Sequence, residues 1–451
     1  MKYYSLLTLF LSFSIFSFGQ GFDEICPDEN TNGVIVNCVE YNDTLYATGF
    51  FNQLCGFPVD YIAIWDEDEW QPAQIGITDP GHAMRVLNNQ LYVVRYENSI
   101  DSNWVYVYQN GDLEKVGEGI YLTTATGQFS NRPNIYDIAE YNGNLIACGE
   151  FDRVGDSDAT GIMQYDGNEW SAIGGGLSGG IQGGSPLMFP HQLMVHNNEL
   201  YVCGNFRFAG GVEVNGIAKW DGTSWSNMGA GFNETVYSMI VYNDEIYAGG
   251  AFTESDGVEM NRIAKWNGTS WEPLNFGFIP LNNFNFTFVH TMTEIDGLLY
   301  MAGGLTEILF PDESTEICGG LISYDGENMD TFSGGVPDND IEAVYKLDNG
   351  QLLIGGGVFG TGYSGLSNFI LNTSDISSKI EVAIAPNPVD DLINISSSER
   401  ITSYEVLDQS GRLVQRGEYS EMIEFLHAPG LYLIQLYEED EYKTTAKFLK
   451  K

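Results

Sequence analysis

Apolar residues are unevenly placed along the chain. They first gather in Leu6–Phe18, behind Lys2, the only charge in the first twenty residues. Ser17 and Gly19 then meet the small-residue rule at −3 and −1 of a cleavage site, so residues 1–19 read as a signal peptide and Gln20 as the new N-terminus. The run is short for a membrane span of roughly 20 residues. No Cys stands at the cleavage point, so lipoprotein anchoring is not expected. No later stretch is apolar enough to predict a transmembrane segment after signal removal. From residue 34 the pattern changes to short alternating runs closed by turn pairs. Residues 236–250 read V-Y-S-M-I-V-Y, N-D, E-I-Y-A-G-G, which predicts two strands and a tight hairpin. A longer loop, a third strand ending in Trp or Tyr, an N-G or D-G turn and a fourth, Trp-bearing strand complete the unit.

The unit recurs. Anchored on the apolar residue after the first turn, its copies lie at Tyr46, Tyr92, Ile146, Tyr201, Tyr247, Tyr300 and Leu353, with spacings of 46, 54, 55, 46, 53 and 53. Seven four-stranded repeats predict an all-β, seven-bladed β-propeller over residues 20–373. Trp65/Trp70, Trp220/Trp225 and Trp266/Trp271 recur five apart across the second turn, with Tyr165/Trp170 as a variant. They read as inter-blade packing in preference to a row of glycan-stacking rings. The last copy lacks a fourth strand, and Gln20–Gly33 is expected to supply it and close the ring, removing two exposed edges. Cys26 could then pair with Cys38 or Cys55, and Cys148 and Cys203 read as buried free thiols.

The Gly pairs after an apolar strand (Gly249-Gly250, Gly303-Gly304, Gly355-Gly356) and the later aromatic and Trp resemble kelch-type propeller repeats over about residues 34–373. Blade 2 departs furthest, with Val94-Arg95 in place of the pair. A polar linker follows at 374–379, then a compact β pattern at 380–451. In that module Pro386-Asn387-Pro388, Gly411-Arg412, Gly430 with Tyr432, and Lys447-Phe448 resemble the type A C-terminal sorting domain of cargo for the type IX secretion system of Bacteroidetes. The resemblance implies partners in the secretion machinery and its sortase. It implies export through the periplasm, removal of the module, and a product that is secreted or held on the outer-membrane surface.

Charge narrows the ligand. Residues 20–379 hold 11 Lys and Arg against 49 Asp and Glu, within a whole-chain charge of −43. Nucleic acid is therefore excluded as a partner, because binding it needs clustered cations. Neutral glycans, cations and basic protein surfaces remain.

The strand that opens each repeat is expected to line the axis. The longest inter-blade loops, 117–134, 174–190 and 275–288, share one rim, which reads as the binding surface for an extracellular protein or glycan. His82, His191 and His290 each lie ten residues before their anchors, at the start of the axial strand in blades 2, 4 and 6. Val36, Tyr136, Tyr237 and Ala343 hold that place in the others. Alternate blades are too far apart for three His to share one metal, so His82, His191, His290, Tyr136 and Tyr237 read as ligand-contacting residues at a wet channel mouth. Asp152, Asp156 and Asp158 form an oxygen-rich loop that suggests Ca²⁺, although without EF-hand spacing. No other cofactor is expected. No catalytic signature occurs. D-G-T-S-W differs in register from the Asp box of sialidases. A glycoside hydrolase or lyase acting on polysaccharide is the alternative, marked by paired carboxylates, or a His with a carboxylate, in a rim pocket.

Overall fold

The computed structural model describes residues 133–181, 188–280 and 287–331 without a break. It also describes most of 35–123 and 339–358, the strands at 22–24 and 369–371, and the strands between 382 and 450. Every regular element among them is a β-strand. Contacts divide the chain into one unit, Gln20–Leu371, and a second that begins at Asn372. The expected signal peptide, the linker 374–379 and His82 lie outside the described residues.

The first unit is a β-propeller built of four-stranded antiparallel sheets. Sheet 5 shows the plan: Val236–Tyr242, Glu245–Gly250, Ile263–Trp266 and Trp271–Pro273 follow one another in space as in sequence. The first hairpin is tight because Asn243 and Asp244 both adopt positive φ, 50° and 62°. Asn and Asp tolerate that region better than other side-chain-bearing residues. The second turn is held by a side chain: Asn267 Oδ1 accepts from Thr269 N and Ser270 N, both at 2.9 Å. Asp221 does the same for Thr223 and Ser224 in sheet 4. The D-G-T-S-W motif is thus a turn whose carboxylate is engaged by its own backbone. The Thr223 hydroxyl first, then the Ser224 and Thr223 backbone N–H groups, hold the Asp221 carboxyl well below the usual range.

Among the described residues five sheets follow this plan in full, one more takes its outermost strand from Phe22–Glu24, and the strands that open at Met84–Leu87 belong to a larger, seven-stranded sheet. Their first strands are Ile35–Tyr41, Met84–Leu87, Asn134–Tyr141, Phe189–His196, Val236–Tyr242, Val289–Ile295 and Asn339–Lys346. Each touches the first strand of the next sheet, and the seventh touches the first, so these strands form a closed ring. The outermost strand of sheet 7 is Phe22–Glu24, antiparallel to Phe369–Leu371, with Asp23 opposite Ile370.

Packing explains why both faces of each strand are apolar. In sheet 3, Leu145, Ala147 and Met163 pack toward sheet 2, while Ile146, Cys148 and Ile162 pack toward sheet 4. The Trp pairs span these interfaces. Trp220 and Trp225 are directly opposite, with ring centroids 5.2 Å apart. Trp170 and Trp271 each donate Nε1–H to a carbonyl of the segment preceding their sheet, Val116 O at 2.9 Å and Met228 O at 3.0 Å. The inter-blade reading of these residues therefore holds. Cys148 and Cys203 are buried free thiols, and Cys38 is free as well, so it is not the partner of Cys26. Burial pushes the Cys38 thiol up to about 12.

In the second unit, Val382–Ala385, Leu392–Ser397 and Met422–Glu424 form one antiparallel sheet. Leu413–Glu418, Ser403–Asp408, Gly430–Glu438 and Glu441–Lys450 form another. Val406 and Ile434 are fully buried, and Tyr432 sits opposite Phe448.

Candidate functional site

The first strands of all seven sheets converge on one cavity of about 490 Å³ on the propeller axis. Its wall is set by a repeated irregularity. Six first strands carry a β-bulge at the same place, between Ile35 and Asn37, Ile135 and Asp137, Pro190 and Gln192, Val236 and Ser238, Val289 and Thr291, and Ile341 and Ala343. The bulged residues are Val36, Tyr136, His191, Tyr237, His290 and Glu342, and each lines the cavity. A bulge re-aims a side chain that regular pleating would turn elsewhere.

Each bulge faces a Gly: Ile35 is opposite Gly49, Ile135 opposite Gly149, Pro190 opposite Gly204, Val236 opposite Gly250, Val289 opposite Gly303 and Ile341 opposite Gly356. A Cβ on Gly149 would lie 2.0 Å from Asn134 O, and one on Gly250 would lie 2.2 Å from Thr235 O. The bulged backbone lies too close to the second strand for any side chain there. In sheet 2 the equivalent position, three after the anchor Tyr92, is Arg95, and no such bulge occurs among its described residues.

Sequence counting placed Ala343 in this ring, and the structure replaces it with Glu342. The first hairpin of sheet 7 is one residue longer: Lys346 and Leu352 pair with five residues between them, where Glu40 and Leu45 enclose four. Counting back ten from Leu353 therefore stops one residue short.

The structure brings four of the sequence-predicted residues together. Ring centroids run Tyr136–His191 at 5.5 Å, His191–Tyr237 at 4.9 Å and Tyr237–His290 at 5.5 Å, with interplanar angles of 38°, 64° and 71°. Tyr237 stands between the two imidazoles, so they do not share a metal-binding point. After three of the bulges the next residue acts as a latch to the next sheet. Asn37 Nδ2 donates to Met84 O at 3.1 Å, Asp137 Oδ2 accepts from Leu193 N at 2.8 Å, and Gln192 Oε1 accepts from Met239 N at 2.6 Å. Arg85 Nε meets Asp137 Oδ1 at 2.8 Å. Burial first, then the Glu150 charge, raises the Tyr136 phenol, so it stays neutral.

Asp152, Asp156 and Asp158 do not form one cluster. Asp152 accepts from Thr123 N at 2.8 Å and from Thr123 Oγ1 at 3.0 Å. Asp156 meets Arg153 at 3.5 Å, and Asp158 is exposed opposite Arg153 in a short hairpin. Among the described residues no group of three or more His, Cys, Asp or Glu gathers as a metal site. Of the sorting motif, Gly430, Tyr432, Lys447 and Phe448 lie on the two paired C-terminal strands. Arg412 is exposed, while Pro386, Asn387, Pro388 and Gly411 lie outside the described residues.

Residues 383–451 match the secretion system C-terminal sorting domain. That tail marks the chain as cargo exported by type IX secretion to the cell surface or extracellular space. No curated protein matches the chain. Among solved structures it is similar to YCF48 bound to D1 peptide, at 12% identity over 78% of this chain and 95% of that one, TM-score 0.42. It is also similar to the β-propeller domain of the trilobed protease from Pyrococcus furiosus, at 11% identity over 75% and 94%, TM-score 0.39. A third is Pyrococcus horikoshii acylaminoacyl peptidase, at 12% identity over 82% and 59%, TM-score 0.40.

Proposed function

We propose that the chain delivers a seven-bladed, kelch-like propeller to the cell exterior, where it binds a protein or glycan ligand at the mouth of its axial channel. Residues 1–19 would direct passage to the periplasm. The C-terminal module would engage the secretion machinery and then be removed by its sortase. The observation that carries the binding reading is the arc Tyr136–His191–Tyr237–His290, which the bulges turn into a single cavity.

A second reading, a polysaccharide-acting enzyme, draws on His290 and Glu342, which stand on neighbouring first strands and line the same cavity. Binding is favoured because glycosidases place two carboxyl groups about 5–9.5 Å apart. Among the described residues Glu342 is the one carboxylate in this wall.

The test is a glycan and secreted-protein screen with the chain from Gln20 onward, repeated with His191→Ala and His290→Ala. A ligand that either variant weakens about tenfold or more supports the reading. Unchanged affinity in both would remove the channel mouth from it. Turnover of a polysaccharide that Glu342→Gln abolishes would favour the enzyme.

A further inference from the structure

Resting on that channel-mouth reading, we infer that the cavity is a seat for a neutral sugar unit of a glycan, held by three polar side chains that the fold clamps at one end only. Asn37, Arg85 and Gln192 stand on the first strands of sheets 1, 2 and 4. All three line the cavity and are only partly buried. Asn37 Nδ2 donates to Met84 O, which leaves its Oδ1 as an acceptor. Gln192 Oε1 accepts from Met239 N, which leaves its Nε2 as a donor. Arg85 Nε meets Asp137 Oδ1 at 2.8 Å, which leaves its Nη groups as donors. Among the described residues these remaining ends meet no further hydrogen-bond partner.

The clamps matter as much as the ends. A backbone carbonyl only accepts and a backbone N–H only donates, so the partner fixes which way each amide points. A side chain already tied to the next sheet also loses little freedom when a ligand arrives.

The free ends select the ligand. They are of both kinds, acceptor and donor, and they come from three different sheets around the axis. A sugar hydroxyl both gives and accepts, so one kind of ligand group serves all three. The hydroxyls radiate from a compact ring, whereas an extended peptide offers its backbone groups along two opposite edges. Charge disfavours the other classes. The Arg85 guanidinium is compensated by Asp137, whose side chain is 2% exposed. An anion is repelled by the 49 Asp and Glu that face 11 Lys and Arg in residues 20–379. A cation would meet donor-only groups on Arg85 and Gln192. The volume, about 490 Å³, lies within the roughly 300–1,000 Å³ usual for small-ligand sites.

Calorimetry with the chain from Gln20 onward would test this, using neutral trisaccharides of glucose, galactose, mannose and xylose. Trigalacturonate and a blocked penta-alanine serve as the anionic and peptide comparisons. At least one neutral trisaccharide should bind, with an affinity that changes less than about twofold as salt rises from about 50 to about 300 mM. Gln192→Glu keeps the acceptor for Met239 N and exchanges the free donor for an oxygen. It should weaken that sugar about tenfold or more with an unchanged circular dichroism spectrum, whereas a purely structural latch would leave the affinity as it was. Arg85→Met should weaken it by a similar factor, and if that variant misfolds, Gln192→Glu decides alone. No binding by any of the four neutral trisaccharides overturns the sugar seat, as does binding that Gln192→Glu leaves unchanged. Tighter binding of trigalacturonate or the peptide, lost in His191→Ala, overturns it while leaving the channel mouth as the binding site. A neutral sugar bound equally well by Gln192→Glu, Arg85→Met, His191→Ala and His290→Ala removes the channel mouth too.

Discussion

Asp137 accepts hydrogen bonds from Ile138 N on its own strand and Leu193 N on the next sheet, both at 2.8 Å, and meets Arg85 from the preceding sheet. A buried carboxylate so surrounded ties three sheets together at the channel. Glu150, on the same sheet, is placed differently. It is 7% exposed, and burial raises its carboxyl above the ordinary range. A raised value means that folding favours the neutral acid. Its stabilising contribution is complete below the ordinary carboxyl range and disappears as pH climbs through the raised value. Glu150→Gln should therefore melt about 1–2 °C higher than the wild type at pH 7. The two should coincide near pH 4. Thermal unfolding at both pH values checks this, and a gain of equal size at both would contradict it. Neither role was legible from the sequence, because the burial of each acid is decided by strands far from it in the chain.

At the scale of elements the channel is made by a strand pair: a bulged first strand against a Gly-ended second one. The Gly residues stand out in the sequence and identify the repeat, but their physical task appears only when register is known. They keep a Cβ from colliding with the bulged backbone. That the same feature aims Tyr136, His191, Tyr237, His290 and Glu342 into the cavity could have been suspected from blade 2, where Arg95 replaces Gly and the pattern breaks together. Counting found four of these five and missed Glu342, because residue spacing does not reveal that one hairpin is longer. The Asp loop is a different case. Its acidic spacing suggests a metal, and in the structure Asp152 ties the inter-sheet segment at Thr123 while Asp156 meets Arg153. The strand-pair account predicts a specific sensitivity. Gly149→Ala puts a methyl 2.0 Å from Asn134 O and 2.8 Å from Ile135 Cα, so the bulge must shift. The loss should be about 2–3 kcal/mol, read from urea unfolding. Unchanged stability would show that the bulge is not fixed by its Gly.

For the whole propeller, the repeat itself was legible because a sheet packed on both faces, as the one holding Leu145 and Ile146 is, repeats the same apolar code. The convergence of single side chains on the axis was less so, since it depends on how all the sheets pack. Closure links these two levels. Sheet 7 takes its inner three strands from residues 339–371 and its outermost from Phe22–Glu24. The ends of the unit therefore meet in one sheet, and the ring of first strands is held by pairing between distant parts of the chain. Without the terminal strand, Phe369–Leu371 becomes a bare edge with unpaired backbone groups, a template for another chain. Removing residues 20–24 should lower stability by about 2–4 kcal/mol. It should also produce dimers or larger species at concentrations where the intact chain is monodisperse. Unfolding followed by circular dichroism measures the first effect and light scattering after gel filtration the second. If the shortened chain keeps both its midpoint and its size, closure does not depend on this strand, and the contact between the first and seventh inner strands must hold the ring by itself.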